Sequence, residues 1–277
     1  MGRPYAEVIG DPIAHSKSPL IHNFWLEKLG IDAEYRACHV RPDELADYFA
    51  RRRGDAKWRG CNVTIPHKLA ALEFADSTNE AAAAVGATNT VVRDLEGTLI
   101  AANTDVDGIA AALDGLDLSG EEVCVLGAGG AARAAFYALS QRRCIVLGWA
   151  RKPKKVVAVG RELGSGVIGV PFTQGSTALC GASLFINATQ LGMSGQEAMP
   201  QFVLDELDLL DSEGTVFDMV YDPLETPLLV SARAQGRRGI DGLAMLIGQA
   251  AVAFEKFFGR PAPRQHDAEL RALLTAP

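Results

Sequence analysis

Apolar and polar positions follow two rhythms along this chain. Short apolar runs, YAEVIG at 5–10, AEYRACHV at 33–40 and WRGCNVTI at 58–65, read as strands. Between them, SPLIHNFWLEKLG at 18–30 and PDELADYFARRR at 42–53 carry apolar residues at helical spacing. Gly30 marks the end of the first helix and Pro42 the start of the second. HKLAALEFA at 67–75 and STNEAAAAVG at 77–86 continue as helices. TNTVVRDLEGTLIAANTD at 88–105 differs: two β-rich runs flank DLEG and predict a hairpin. Alternating β and α units predict an α/β fold with a mainly parallel sheet covered by helices.

A helix over TDVDGIAAALDG leads to a second α/β series. EEVCVLGAGGAARAAFYALSQRR at 121–143 is an apolar strand, a Gly-rich turn and an Ala-rich helix. CIVLGWARK, GVIGVPF, ASLFINAT and TVFDMVYDP add strands. GLAMLIGQAAVAFEKFFG and DAELRALLTA close the chain as helices. No tandem repeat or long linker interrupts the order.

Composition narrows the class. With 277 residues, 48% hydrophobic and 22% charged, a packed protein of one large or two smaller domains is expected. A formal charge of −7 argues against general nucleic-acid binding. No run approaches the roughly 20 apolar residues of a membrane span, and the N-terminus lacks the apolar segment of a signal peptide. Cys38, Cys61, Cys124, Cys144 and Cys180 are odd in number and form no C-x-x-C pair. They read as buried free thiols of a cytoplasmic protein, without a metal site.

The Gly-rich turn carries the first chemistry. Gly127, Gly129 and Ala132 fit G-x-G-x-x-[GA] after a strand and before a helix. Small residues there allow a tight turn, close approach of backbone N–H groups to a pyrophosphate, and close helix–sheet packing. An NAD site ordinarily has an acid about 20 residues on. Here the next strand ends GWARKPKK, with Arg151, Lys152, Lys154 and Lys155 and no acid. A guanidinium suits a ribose 2′-phosphate, so NADP is expected over NAD. The plainer alternative is a solvated basic turn.

Polar residues in the first half suggest a small-molecule site. Ser16 and Ser18 precede a helix start, where hydroxyls and free N–H groups suit a carboxylate, or where one serine is simply a cap. Asn62, Thr64 and Lys68 sit at a strand exit, and Asn89 begins another strand. Asp105 opens a helix, and Gln249 lies on an apolar one, where a buried amide needs a partner.

GDPIAHSKSPLIHN, GCNVTIPHK, GATNTVV, NTDVDG, GAGGAARA, NATQLGM and DGLAMLIGQAAVAF occur in order over nearly the whole chain. In this combination the chain resembles the shikimate dehydrogenase family. The resemblance implies an α/β substrate domain formed by residues 1–103 with 242–277, and a Rossmann-type NADP domain at 104–241. It implies NADP-linked interconversion of 3-dehydroshikimate and shikimate in a cleft, by a monomer or homodimer. Lys68 and Asp105 would be the catalytic pair. Ser16 and Ser18 would hold the substrate carboxylate, and Asn62, Thr64, Asn89 and Gln249 its hydroxyls, with Tyr221 nearby. Gly127, Ala128, Gly129, Gly130, Ala131, Arg151, Lys152, Thr189, Met219 and Gly242 would border the cofactor, and Glu80 matches a further cofactor position.

The family's usual Asn-Arg-Thr reads Ala150-Arg151-Lys152 here, Gln190 replaces a serine, and Asp222 stands where asparagine is more familiar. A free lysine titrates near about 10.4, so Lys68 is expected to act as the acid in reduction. A quinate/shikimate dehydrogenase with relaxed substrate or NAD use is the alternative. A non-catalytic metabolite-binding regulator and a folate-type dehydrogenase are the readings outside this family.

Overall fold

The computed structural model describes residues 2–276. The chain divides into two units, Met1–Asp107 with Ile247–Pro277, and Gly108–Leu246.

The first unit contains β1 (Tyr5–Gly10), α1 (Ser18–Leu29), β2 (Glu34–His39), α2 (Leu45–Arg53), β3 (Trp58–Val63), β4 (Ser77–Thr78), α3 (Glu80–Val85), β5 (Thr90–Arg93) and β6 (Leu99–Ala102). α4 (Asp105–Ala112) carries the chain out of it. The strands form one sheet in the order β2-β1-β3-β5-β6-β4. β1 pairs in parallel with β2 and β3, and β4 with β6, while β3–β5 and β5–β6 are antiparallel. The β5–β6 hairpin turns at the expected DLEG, where Gly97 has φ 92°.

β1 is buried along its whole length because strands flank it on both sides. Its one charge, Glu7, accepts hydrogen bonds from Arg52 Nε at 2.7 Å, Arg36 Nε at 3.0 Å and Tyr48 Oη at 2.9 Å. Those partners satisfy a carboxylate that burial alone would make costly. The register of β1 on β3 shifts after Tyr5, which pairs with Trp58 while Ala6 pairs with Gly60. Arg59 is therefore the extra residue of a β-bulge. Gly60 follows at φ +144°, with Phe257 packed over it.

The second unit contains β7 (Glu122–Leu126), α5 (Gly130–Ser140), β8 (Ile145–Ala150), α6 (Pro153–Glu162), β9 (Ile168–Pro171), β10 (Leu184–Asn187), α7 (Gln201–Asp205), β11 (Thr215–Asp218), α8 (Pro227–Ala234) and β12 (Arg238–Ile240). Its sheet runs β12-β11-β10-β7-β8-β9, with every pair parallel. The chain moves outward from β7 to β9, then restarts beside β7 with β10. This is the doubly wound order, and its switch point lies between β7 and β10. α9 (Gly242–Phe258) and α10 (Asp267–Thr275) complete the chain, and the second unit boundary falls inside α9.

Several local expectations change. PDELADYFARRR is a 3₁₀ turn, Pro42–Glu44, followed by α2. HKLAALEFA forms only a 3₁₀ segment, Ala70–Phe74. Long-range bonds hold that stretch in place of a helical ladder. His67 Nε2 lies 2.6 Å from the Val40 carbonyl, and the Lys68 carbonyl accepts from Thr88 N–H at 2.8 Å. STNEAAAAVG begins as β4, paired with β6, before α3 starts. The basic residues after Arg151 open α6 at Pro153 rather than a simple turn. Of the cysteines, Cys61 and Cys124 are buried, Cys38 and Cys144 half-buried, and Cys180 exposed. Cys180 departs from the expected burial because it lies in the loop preceding β10, outside any strand.

Candidate active site

β3 ends at Val63, and Thr64 N–H still bonds to the Ile9 carbonyl at 3.0 Å. The chain then turns at Pro66. His67 is buried, and since the Val40 carbonyl can only accept, its Nε2 carries the hydrogen that bonds there. This anchor, with the Thr88 bond to the Lys68 backbone, leaves the Lys68 side chain to project alone.

Lys68 Nζ donates to Asp105 Oδ2 at 2.6 Å. The two side chains are 23% and 8% exposed, so the pair is shielded well beyond an ordinary surface ion pair. Asp105 opens α4, where an acid is commonly only a cap. Here its carboxylate is held from both sides: Oδ1 accepts from Asn89 Nδ2 at 2.9 Å. The Asn89 amide has a fixed orientation because its Oδ1 accepts from Thr104 N–H at 2.7 Å, and an N–H can only donate.

More of the expected site residues join this network. Gln249 is buried, and its Oε1 accepts from Asn89 Nδ2 at 3.3 Å and Thr104 Oγ1 at 3.4 Å. Asn62 is buried and donates from Nδ2 to Thr90 Oγ1 at 3.0 Å. Ser18 is the buried first residue of α1. Tyr35 Oη donates to Asn62 Oδ1 at 2.6 Å. Ser16 Oγ accepts from Ser18 N–H at 3.3 Å. Lys17, the α1 N-cap, makes no side-chain bond, Pro19 carries no N–H, and Ile21 N–H goes to the Lys17 carbonyl at 3.2 Å, so an anion at this helix start would rely mainly on the two serine hydroxyls. Thr64 is half-buried beside Gly10, where an added Cβ would stand 2.6 Å from Thr64 Cγ2.

The sequence reading did not select Tyr35, Thr90 or Thr104. The consecutive polar residues of TNT at 88–90 and NTD at 103–105 were the available signal for the threonines. Tyr35 carried none, since it reads as a strand aromatic. Tyr35 is stacked on His22 at 4.0 Å between ring centroids. His22 is fully buried, with neither ring nitrogen bonded among the described residues, and burial lowers its pKa to about 3.

The second unit carries the other set. β7 delivers Gly127 at φ +128°, and an added Cβ there would meet Thr189 Cγ2 at 3.1 Å and the Ala188 carbonyl at 3.2 Å. Only glycine lets this turn lie so close to the end of β10. Gly129 and Gly130 open α5, which no side chain caps, and a Cβ at either would meet nothing within 4 Å. Ala128 and Ala131 flank them, half-buried. An uncapped helix start under open space fits a dinucleotide's pyrophosphate. Arg151 and Lys152 are exposed just beyond β8. Gly242 is buried, and an added Cβ would stand 2.5 Å from the Met219 carbonyl. Tyr221 is half-buried, and burial raises its pKa. Glu80 is exposed at the start of α3, in the first unit.

Asp218 ties the ends of β10 and β11 together. It accepts from Asn187 Nδ2 at 2.9 Å, Val220 N–H at 3.1 Å and Thr226 Oγ1 at 2.7 Å. Burial nevertheless raises its pKa from 3.8 to about 6. The folded state thus holds this proton more tightly than the unfolded chain. The stabilisation is complete below about pH 4 and is lost as pH rises through about 6, a change of about 2–3 kcal/mol. Chemical denaturation of the wild type and Asp218→Asn across this range should show their stability difference shifting against the wild type by that amount. His22 works in the opposite direction, losing stability as pH falls below about 6.5, but is common to both proteins. A pH-independent difference would refute the assignment.

Among the described residues, no group of His, Cys, Asp and Glu is arranged to hold a metal. Nor is any helix long and apolar enough to cross a membrane.

Residues 8–91 match the shikimate dehydrogenase substrate binding domain, and residues 242–269 the shikimate 5'-dehydrogenase C-terminal domain. A shikimate dehydrogenase (NADP(+)) from Sphingopyxis alaskensis is 49% identical, over 99% of this chain and 97% of its own. The Thermus thermophilus shikimate 5-dehydrogenase, solved in complex with NADP(H) and shikimate, has a TM-score of 0.85 at 34% identity, covering 98% of this chain and 99% of its own. The ligand-free 5-ketofructose reductase of Gluconobacter has a TM-score of 0.87 at 28% identity, covering 98% and 99%. Backbone similarity therefore extends to a differently named reductase, and sequence identity is the sharper discriminator.

Proposed function

This chain belongs to the shikimate dehydrogenase family, and from that premise we infer which of its residues carry the reaction. It is an NADP-dependent oxidoreductase that reversibly reduces 3-dehydroshikimate to shikimate, in the pathway to chorismate and the aromatic amino acids. The observation carrying the site assignment is the shielded Lys68–Asp105 pair, held by Asn89.

When bound, NADP(H) supplies or accepts the hydride at C3 of the substrate. In reduction, the Lys68 ammonium polarises the C3 ketone and gives its proton to the developing alkoxide. Asp105 aims the ammonium and accepts a substrate hydroxyl. In oxidation, Lys68 must first be deprotonated to take the proton from the C3 hydroxyl. Ser16 and Ser18 hold the carboxylate at the α1 start, while Asn62, Thr64, Asn89 and Gln249 receive the hydroxyls, with Tyr221 nearby. The first unit thus takes the substrate. In the second, Gly127 to Ala131 cradle the pyrophosphate, Arg151 and Lys152 face the 2′-phosphate, and Thr189, Met219 and Gly242 border the cofactor. Glu80 is the cofactor contact offered by the first unit. A cytoplasmic monomer or homodimer completes the proposal.

The test is initial rates followed by NADPH absorbance, with shikimate or quinate and with NADP or NAD. Turnover should be confined largely to shikimate with NADP. Arg151→Ala should raise KM for NADP about tenfold, the scale of a charge-assisted hydrogen bond, and leave NAD use unchanged. An unchanged KM would make the basic segment solvated surface. Strong quinate turnover would remove the serine pair as the basis of selectivity.

A further inference from the structure

The hydrogen bonds around Asn89 share one direction. Tyr35 Oη donates to Asn62 Oδ1 at 2.6 Å, and Asn62 Nδ2 donates to Thr90 Oγ1 at 3.0 Å. Thr90 Oγ1 donates to Asn89 Oδ1 at 3.1 Å, and Asn89 Nδ2 donates to Asp105 Oδ1 at 2.9 Å. Lys68 meets the same carboxylate from the other side at 2.6 Å. Backbone groups fix both amides. Asn62 Nδ2 also faces the Asn89 carbonyl at 3.3 Å, which can only accept, and Asn89 Oδ1 faces Thr104 N–H at 2.7 Å. Tyr35 stays a donor because burial raises its pKa well above the ordinary phenol value.

Thr90 is the link between the two amides. It is fully buried, and its hydroxyl has a single proton. Having accepted from Asn62, it can send that proton to Asn89 Oδ1 or to Thr104 Oγ1 at 3.2 Å. The first route continues through Asn89 to Asp105, and the second reaches Thr104, whose own proton faces Asn89 Oδ1 at 3.2 Å or Gln249 Oε1 at 3.4 Å. We propose that Thr90 is a positioning residue for the reaction: its hydroxyl couples Asn62 to Asn89 and, through Asn89, sets the Asp105 carboxylate against Lys68. The inference rests on the assignment of Lys68 and Asp105 made above. Serial donors of one direction polarise each other, so removing the middle member affects both ends.

Thr90→Val keeps the shape and removes the hydroxyl, while Thr90→Ser restores it. Asn62 and Asn89 each have a backbone partner that does not depend on the Thr90 hydroxyl, which favours a folded valine variant. Single-turnover rates of shikimate oxidation are measured for the wild type, both Thr90 variants and Lys68→Ala, with KM for shikimate alongside. The expected result is a fall of about tenfold in rate for Thr90→Val, the scale of one buried hydrogen bond, with KM changed less than threefold. Thr90→Ser should return to within about twofold of the wild type. The proposal is overturned if Thr90→Val stays within twofold of the wild type, if the serine variant is as impaired as the valine, or if only KM moves. Should the valine variant not fold, Thr90→Ala with the same serine control carries the test. An unimpaired Lys68→Ala identifies failure of the underlying site assignment, which takes this proposal with it. An impaired Lys68→Ala beside a normal Thr90→Val removes the proposal alone.

Discussion

Lys68→Ala is expected to lower kcat by about 10²–10⁴-fold, the usual contribution of a placed general acid or base, with only a small change in KM. The reason is geometric. Lys68 is brought to the site by a segment whose backbone is fixed independently, through His67 on Val40 and Thr88 on the Lys68 carbonyl. Truncation removes the ammonium without releasing the loop. Asp105 keeps its Asn89 donor, so the carboxylate does not become an orphan charge. Steady-state and single-turnover kinetics check this. A variant altered in KM alone would make Lys68 a binding group.

Gly60→Ala should cost about 3–5 kcal/mol of stability, a large share of the margin of an ordinary domain. Two costs add. The residue sits at φ +144°, a conformation that side chains avoid, and its Cβ would run into the Val91 carbonyl of the neighbouring strand and approach Phe257 Cε1 at 2.7 Å. The carbonyl belongs to the β3–β5 ladder and cannot swing aside without breaking pairing. Denaturant titration is the check, and a loss under about 1 kcal/mol would mean that the bulge relaxes freely. Activity should fall with the folded fraction, since β3 also delivers Asn62.

What could be read from the sequence was whatever repeats locally. The alternation of strands and helices, the hairpin at DLEG and the Gly-rich turn each rest on neighbours in the chain. The segment after Lys68 is 3₁₀ where local spacing predicts a helix, because its determinants, Val40 and Thr88, lie elsewhere in the sequence. The candidate site residues stood out where several unusual polar groups coincided with a familiar motif order. Tyr35 and Thr90 stayed hidden for a physical reason. Each looks like a good strand residue, and its polar role exists only once β2, β1, β3 and β5 lie side by side. Glu7 is similar: a lone acid in an apolar run gives no hint that two arginines converge on it.

The first unit takes residues from both ends of the chain, and this bears on how the protein is made. On a ribosome the earliest residues emerge long before α9. Until Ala253 and Phe257 arrive, Ala6, Val8, Ile13 and Tyr35 lack part of their apolar covering, and Asn89 lacks Gln249. The second unit is one continuous stretch and has all its strands as soon as residue 246 is out. Nascent chains therefore complete the later unit first, reversing the usual N-terminal precedence. The Asn89–Gln249 contact of the candidate site forms only once α9 has emerged.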